Sequence, residues 1–437
     1  MKKINNILKN SILLLFLVFS VSGNAQKVLT IDDAISTALK NNFDILVAGN
    51  DANVAKVNNT PGNAGMLPTI AITGSGNYGL SNTTQKLSSG VTNNYPDLSA
   101  TTLSAGAQLN WNLYDGGKMF VTKSKLNEIQ ALGEIQYKEK VLQTLYNVIA
   151  AYYDVVRQKQ QLNSINEVMD FNKERVILAQ AGLNAGSLVK TDVLQAKIDL
   201  NVTTENAINQ QFAIDATLKT LNVFLGGKAS DSFDTSDSIP LNYSPDKAGL
   251  LQKIEKSNTS ILNLQKQIDI AQLALKENKS LFLPTLSMKA GYYASQAINS
   301  NGNILQNTSL GPQIGGTLVV PVYSAGETKR KIAIAKIQNE TAQLDLESIK
   351  LQLNTELQNT LTDFENQQKL LKIEAENNEL AKENIQISID RLKHGQTNSL
   401  EVHQAQESYV QSSTRLINFR YNLKIAETKL KQMVSEL

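Results

Sequence analysis

The sequence predicts a mainly α fold with a small β part, built as a duplicated unit of helix, strand, strand, very long helix and helix. Three observations carry that expectation. Proline is confined to positions 61, 68, 96, 240, 245, 284, 312 and 321, leaving 97–239 and 322–437 free of it and able to hold very long helices. Apolar residues recur there at helical spacing, as in Leu142, Leu145, Ile149, Tyr152 and Val156, or Leu346, Ile349, Leu353, Leu357, Leu361 and Phe364. Steps of three and four give a narrow seam with polar residues on the other faces. Finally, the chain repeats itself.

The elements follow in order. Residues 1–25 place Lys2, Lys3 and Lys9 before the apolar run ILLLFLVF and close with SGNA, the pattern of a secretory signal peptide cut after Ala25. The run is too short for a spanning helix, which needs about 20 residues. No later run reaches that length, so the mature chain is expected to lack a transmembrane helix. The first repeat, 26–226, opens with the helix-forming LTIDDAISTALKNN. A strand at about 68–80 follows, with Ile70, Ile72, Gly74, Gly76 and Tyr78 on one parity. Its GSGNYG, 74–79, spells G-x-G-x-x-G, but a dinucleotide turn needs a helix to open at Gly79. The Ser/Thr/Asn/Gly tract LSNTTQKLSSGVTNNYPD stands there instead. The glycines therefore read as the upper end of a strand leading into a polar loop, and no cofactor is expected.

In the strand at about 101–114, Leu103, Ala105, Ala107, Leu109, Trp111 and Leu113 alternate with the polar Ser104, Gln108, Asn110 and Asn112, giving one dry and one wet face. A helix at about 118–184 rises roughly 100 Å to a glycine-marked tip at 183–190. Residues 227–246 join the halves. The second repeat, 247–437, has strands at about 284–296 and 310–323, a long helix at about 327–393 and a tip at 392–399.

The duplication is explicit. LPT at 67–69 returns at 283–285, and the same offset of 216 carries Asn42 onto Asn258 and Ile45 onto Ile261. LYDGG at 113–117 returns as VYSAG at 322–326, and that offset of 209 lays LNAGSLVKTDVLQA (183–196) on LKHGQTNSLEVHQA (392–405). Strand parity survives, since Leu109, Trp111 and Leu113 fall on Leu318, Val320 and Val322.

Composition excludes several classes. Without the leader, 39 basic face 40 acidic residues, so bulk charge does not attract nucleic acid. Cysteine is absent, which removes thiol catalysis, disulfides, Cys-bound metals and a lipid anchor on Cys. The six Met are scattered and no metal path is expected. Only 41% of the chain is apolar, which argues against a thick globular core. No carboxylate pair sits beside a nucleophile, so an enzyme is not expected.

Four strands cannot close a barrel within one chain, and open edges are not tolerated in lipid. Alternating strands on an exported chain without a spanning helix fit an outer membrane barrel shared among protomers, with the long helices forming a wall wetted on both sides. A periplasmic coiled-coil adaptor, or a structural protein of an export complex, is the alternative.

With LTIDDAISTALKNN, the two LPT strand starts, WNLYDGG, VVPVYSAGE and the paired glycine turns with TDVLQA and LEVHQA, the chain resembles the TolC family of outer membrane channels. The resemblance implies a homotrimer with a twelve-stranded barrel in outer membrane lipid, continued by an α-helical tunnel into the periplasm. It also implies a periplasmic adaptor and an inner-membrane pump as partners, and an equatorial belt containing the inter-repeat segment. Leu183, Gly186, Ser187, Leu188, Leu392, Gly395, Gln396 and Thr397 are then tip or adaptor contacts, and Asp192, Gln195, Glu401 and Gln404 ring the aperture. The best-known closed state in the family uses a basic residue two after the second glycine, tied to an acid like Asp192; this chain has Thr397 there. The only histidines are His394 and His403, both at the second tip. His403 aligns with Leu194, read as a seam position; burial there favours the neutral ring, so acid is expected to loosen the tip, with Glu407 opposing.

Overall fold

The computed structural model describes residues 27–228 and 233–437. The expected signal peptide lies outside the described residues, as do four residues of the inter-repeat segment. In chain order the elements are β1 (Lys27–Leu29), α1 (Ile31–Asn41), α2 (Phe43–Asn58), β2 (Thr69–Lys86), β3 (Thr92–Asp115), α3 (Lys118–Ala185), α4 (Lys190–Phe224) and β4 (Phe233–Thr235). They continue with α5 (Lys247–Ser257), α6 (Thr259–Ser280), β5 (Thr285–Asn299), β6 (Gln306–Val319), α7 (Glu327–Lys393) and α8 (Ser399–Met433). No described helix is long and apolar enough to cross a membrane. Two compact units are present. One holds the described residues up to Val47 with Glu139–Asn258 and Leu353–Leu437; the other holds Ala48–Lys138 and Thr259–Gln352.

The first unit is helical. Its main core sets Val148, Ile149, Tyr152, Val155 and Val156 of α3 against Ala34 and Ala38 of α1 and Leu221 and Leu225 at the end of α4. The seam residues Leu142, Leu145, Ile149, Tyr152 and Val156 are all buried, as are Leu353, Leu357, Leu361 and Phe364 of α7; Leu346 and Ile349 are half-buried. Strands β1 and β4 pair in parallel beside this core, and the Tyr152 hydroxyl donates to the Leu29 carbonyl at 2.9 Å.

The duplicated asparagines are pins. Asn42 stands between α1 and α2, where its Oδ1 accepts from the amides of Asp44 and Ile45 at 2.9 and 3.2 Å and its Nδ2 donates to the Phe224 carbonyl at 2.8 Å. Asn258 stands between α5 and α6 and donates to the Met433 carbonyl at 2.9 Å. Phe224 and Met433 are the last residues of α4 and α8. Each asparagine thus satisfies a carbonyl at the end of the repeat's final helix, where the helix itself supplies no donor.

The second unit is organised around one antiparallel sheet in the order β2-β3-β5-β6. Two sequence expectations fail here. The expected loop after GSGNYG is strand: β2 runs to Lys86 and β3 begins at Thr92, with Thr83 opposite Tyr95 and Lys86 opposite Thr92. A ribbon wetted on both faces needs no apolar alternation, because its ladder bonds hold it together. Pro96 lies where the register shifts between Ser81 and Thr83, and the neighbouring Asp97 has a φ of 51°, so the missing N–H falls at a break in the ladder. The second failure concerns parity at the strand ends. Leu113 is an extra residue between Asn112 and Tyr114, so Tyr114 takes its place opposite Leu286, and β6 stops at Val319, before Val320 and Val322.

Asn42→Ala and Asn258→Ala are each expected to destabilise the helical unit by about 1–3 kcal/mol, because each leaves a buried carbonyl without its donor. Denaturant unfolding of the single variants against the parent checks this; a loss below 0.5 kcal/mol at either position, on the order of a surface substitution, contradicts the pin.

Candidate functional site

Residues directly opposite each other in an antiparallel ladder share a face, so the register sorts the sheet into two surfaces. One carries successive rows Ile70, Leu109, Ala290, Ile314; Ile72, Ala107, Tyr292, Pro312; and Gly74, Ala105, Ala294, Leu310. The other carries Thr69, Asn110, Lys289, Gly315; Ala71, Gln108, Gly291, Gln313; Thr73, Gly106, Tyr293, Gly311; and Ser75, Ser104, Ser295, Ser309. Ile72 is 86% exposed and Ile70, Ile314 and Leu318 are also bare, an apolar surface far beyond the scattered exposure normal for a soluble protein. On the polar surface Tyr293 lies down. Its ring occupies the space that side chains at Gly106 and Gly291 would take, with Cδ1 2.5 Å from where a Cβ on Gly106 would stand.

The helical tips share one backbone and differ in chemistry. At the first, Gly186 (φ +78°) donates to the Leu183 carbonyl and Ser187 to that of Gly182; at the second, Gly395 (φ +64°) donates to Leu392 and Gln396 to Arg391. These are paired Schellman ends, in which glycine supplies the left-handed residue. The first tip is closed by packing: the Leu188 side chain lies where a Cβ on Gly182 would be, beside Ala179, Leu183, Val193 and Ala196. The second is closed by charge. Arg391 stands at the Gly182 position, 209 residues on, and its guanidinium pairs with Glu401, which also accepts from the Thr397 hydroxyl at the Leu188 position.

Beneath the tips a polar cluster interrupts the helical seam. Arg175 is 1% exposed and pairs with Asp199, which also accepts from Gln195 at 2.8 Å; Arg175 reaches Gln406 at 3.3 Å. Asn172 donates to Thr203 at 2.7 Å. A buried cation of this kind is tolerable only when paired and hydrogen-bonded. Nearby, the Tyr409 hydroxyl donates to the Glu167 carboxylate; burial first, then that hydrogen bond and charge, push its pKa far above the ordinary tyrosine value.

The structure distributes the sequence-predicted residues unevenly. Gly186, Ser187, Gly395 and Gln396 are exposed at the turns, Thr397 is half-buried, and Leu183 and Leu188 pack inward. Leu392 is a correction: at 7% exposure it packs with Val402, Ala405 and Tyr409 and offers no surface to a partner. Asp192 accepts from the Val189 amide at 3.1 Å and so caps the start of α4; Gln195 and Gln404 are exposed. His394 donates from Nδ1 to the Asp390 carbonyl at 2.7 Å. His403 is the second correction. The seam passes through Val193, Ala196, Val402 and Ala405, one residue off, which leaves the ring 38% exposed with Asp199 and Glu407 each 3.5 Å away. The ring as a whole is not packed in the seam, although its Nδ1 is covered. The sequence reading missed Arg175, Asp199 and Arg391. Polar Asn172 and Arg175 at seam spacing between Val168 and Ala179 were the signal for the first two, and Arg391 facing Gly182 across the repeat was the signal for the third.

Comparisons with known proteins agree with this geometry. The family profile described as outer membrane efflux protein matches residues 34–227 and 250–436. The proteases secretion protein PrtF of Dickeya chrysanthemi is 21% identical over 425 residues, 95% of this chain and 90% of that protein. The outer membrane protein TolC of Escherichia coli is 21% identical over 370 residues, 79% and 72% of the two chains. Among solved structures, the outer membrane protein VceC of Vibrio cholerae superimposes with a TM-score of 0.73 at 15% identity, covering 93% of this chain and 96% of that one. A bare apolar sheet face, a polar opposite face and duplicated helical tips thus meet a family match over both repeats: the chain belongs to the outer membrane efflux protein family and is an outer membrane exit channel.

Proposed function

We propose that three copies of the chain assemble into a channel whose twelve-stranded barrel puts the Ile70–Ile314 face against lipid and the Ser75–Ser309 face around the lumen. The observation that carries this reading is the sheet itself, with a bare apolar face and two open edges, β2 and β6. Lipid offers no hydrogen bonds to those edges, so they must be closed by further copies, and the family resemblance puts the number at three. The helices carry matching evidence. On α7, Ile373, Leu380 and Ile387 are exposed at seven-residue intervals, and on α4 Leu194, Ile198, Val202 and Phe212 form a second bare stripe. Exposed apolar stripes at helical spacing call for a helix to face them. Efflux or type I secretion is the task, with a periplasmic adaptor contacting Gly186, Ser187, Gly395 and Gln396 and an inner-membrane pump supplying cargo.

In outer membrane extracts the mature protein is expected to run as a heat-labile species of three copies on cross-linking; a soluble periplasmic monomer overturns the reading. Leu109→Arg is expected to impair that assembly by roughly 2–4 kcal/mol if near mid-membrane, whereas Gln108→Arg, on the other face, assembles normally. Equal damage from both reverses the two faces.

At the periplasmic mouth, Asp192, Gln195, Glu401 and Gln404 ring the aperture in this proposal, but Arg391 compensates the Glu401 carboxylate. Cation preference is therefore weak. In planar bilayers Arg391→Gln is expected to raise the cation-to-anion permeability ratio severalfold, since an unpaired ring of three carboxylates attracts cations. Adding Glu401→Gln to that variant returns the ratio to the parent value. An unchanged ratio in Arg391→Gln places Glu401 away from the aperture.

A further inference from the structure

We propose that Lys289 makes the polar face of the sheet an anion-binding girdle, which favours passage of cargo bearing carboxylate, phosphate or sulfate groups. The proposal rests on the reading that this face lines the lumen.

Seven successive rows of the polar face, from Asn112, Ser287 and Thr317 up to Gly79, are built from Thr, Ser, Asn, Gln, Ala, Gly and one Tyr; among these described residues Lys289 alone is charged. The nearest acid on the same face is Asp115, in the row just beyond that of Asn112 and so two rows from Lys289; it is already engaged, its Oδ1 accepting the Met119 amide at 3.0 Å to cap α3. The residues beside Lys289 in its row and in the rows on either side are uncharged, so its ammonium meets no competing carboxylate on that face.

Its surroundings leave room and supply donors. The next residue across on β6 is Gly315, where an added Cβ would meet open space. Asn110, directly opposite on β3, receives the Gln108 amide on its Oδ1 at 2.6 Å, so its Nδ2 is left to donate elsewhere on that face. Tyr293, four residues along β5, is laid over Gly106 and Gly291 instead of standing above the sheet. An ammonium and an amide donor beside a vacant glycine form a site for an oxyanion. The opposite face of this one-layer wall is charge-free over the same rows; with lipid behind it, the low-dielectric wall focuses the field of the three lysines into the lumen. Such focusing raises the local concentration of counter-ions by roughly tenfold or more.

The test uses the intact oligomer in planar bilayers with a salt gradient, and inorganic tripolyphosphate added from each side in turn. Lys289→Gln is expected to move the reversal potential toward cations, and Lys289→Glu further. Block of the parent by tripolyphosphate is expected to weaken roughly tenfold in Lys289→Gln, the lower end of the focusing effect. Gly315→Asp, which keeps the lysine and sets a carboxylate in the vacant space, is expected to weaken it as much, and Lys289→Arg to preserve it. Lys86→Gln, at the end of the hairpin, changes nothing. Conducting channels in which Lys289→Gln and Gly315→Asp match the parent in both reversal potential and block overturn the assignment of Lys289 and leave the channel reading intact. A purified oligomer that conducts nothing overturns the channel reading and this proposal with it.

Discussion

A backbone amide that faces hydrocarbon must find its acceptor within protein, and most of the second unit follows from that constraint. The four strands satisfy one another across three ladders and leave two rows of donors and acceptors open, on β2 and β6. In water such edges are a liability; against lipid they are untenable. The same constraint explains why the sheet can be bare of charge on one face. Its apolar rows of Ile, Leu, Ala and Gly suit a hydrocarbon surrounding, and its polar rows of Ser, Asn, Thr and Gln suit water.

Helices solve the problem differently, since each closes its own ladder and owes partners only at its ends. The ends of the helical unit are accordingly served by specific polar contacts. Asn42 and Asn258 meet the last carbonyls of α4 and α8, Asp192 and Asn398 cap first turns, and Gly186 and Gly395 reverse the chain. Between the ends, packing of a narrow seam carries the stability, and where polar side chains enter that seam, as Arg175 does with Asp199, they arrive as a bonded set.

Much of this was legible in the residues. Long proline-free stretches, the 209-residue offset and the alternation around Leu109 locate every long helix and the inner halves of the strands, because each is a periodic signal repeated over many residues. The outer hairpin at Thr83 and Tyr95 was not legible, since a two-sided wet ribbon has the composition of a loop. His403 was misplaced because the seam was read one residue off, at Leu194 instead of Val193, and a helix turns by about 100° at that step. Arg391 was overlooked because its importance lies in a substitution between repeats, visible only when Gly182 is set beside it and Leu188 beside Thr397.

That last contrast reaches beyond a single chain. In the proposed assembly of three copies the mouth would have six helical tips, alternating between one held by leucine on glycine and one held by a guanidinium between a carboxylate and a hydroxyl. Superficially sixfold, such a rim would be chemically threefold. A ring of six identical partner subunits seated on it would find two kinds of socket, so it would bind as three pairs, one member of each pair reading an oily knuckle and the other a polar one.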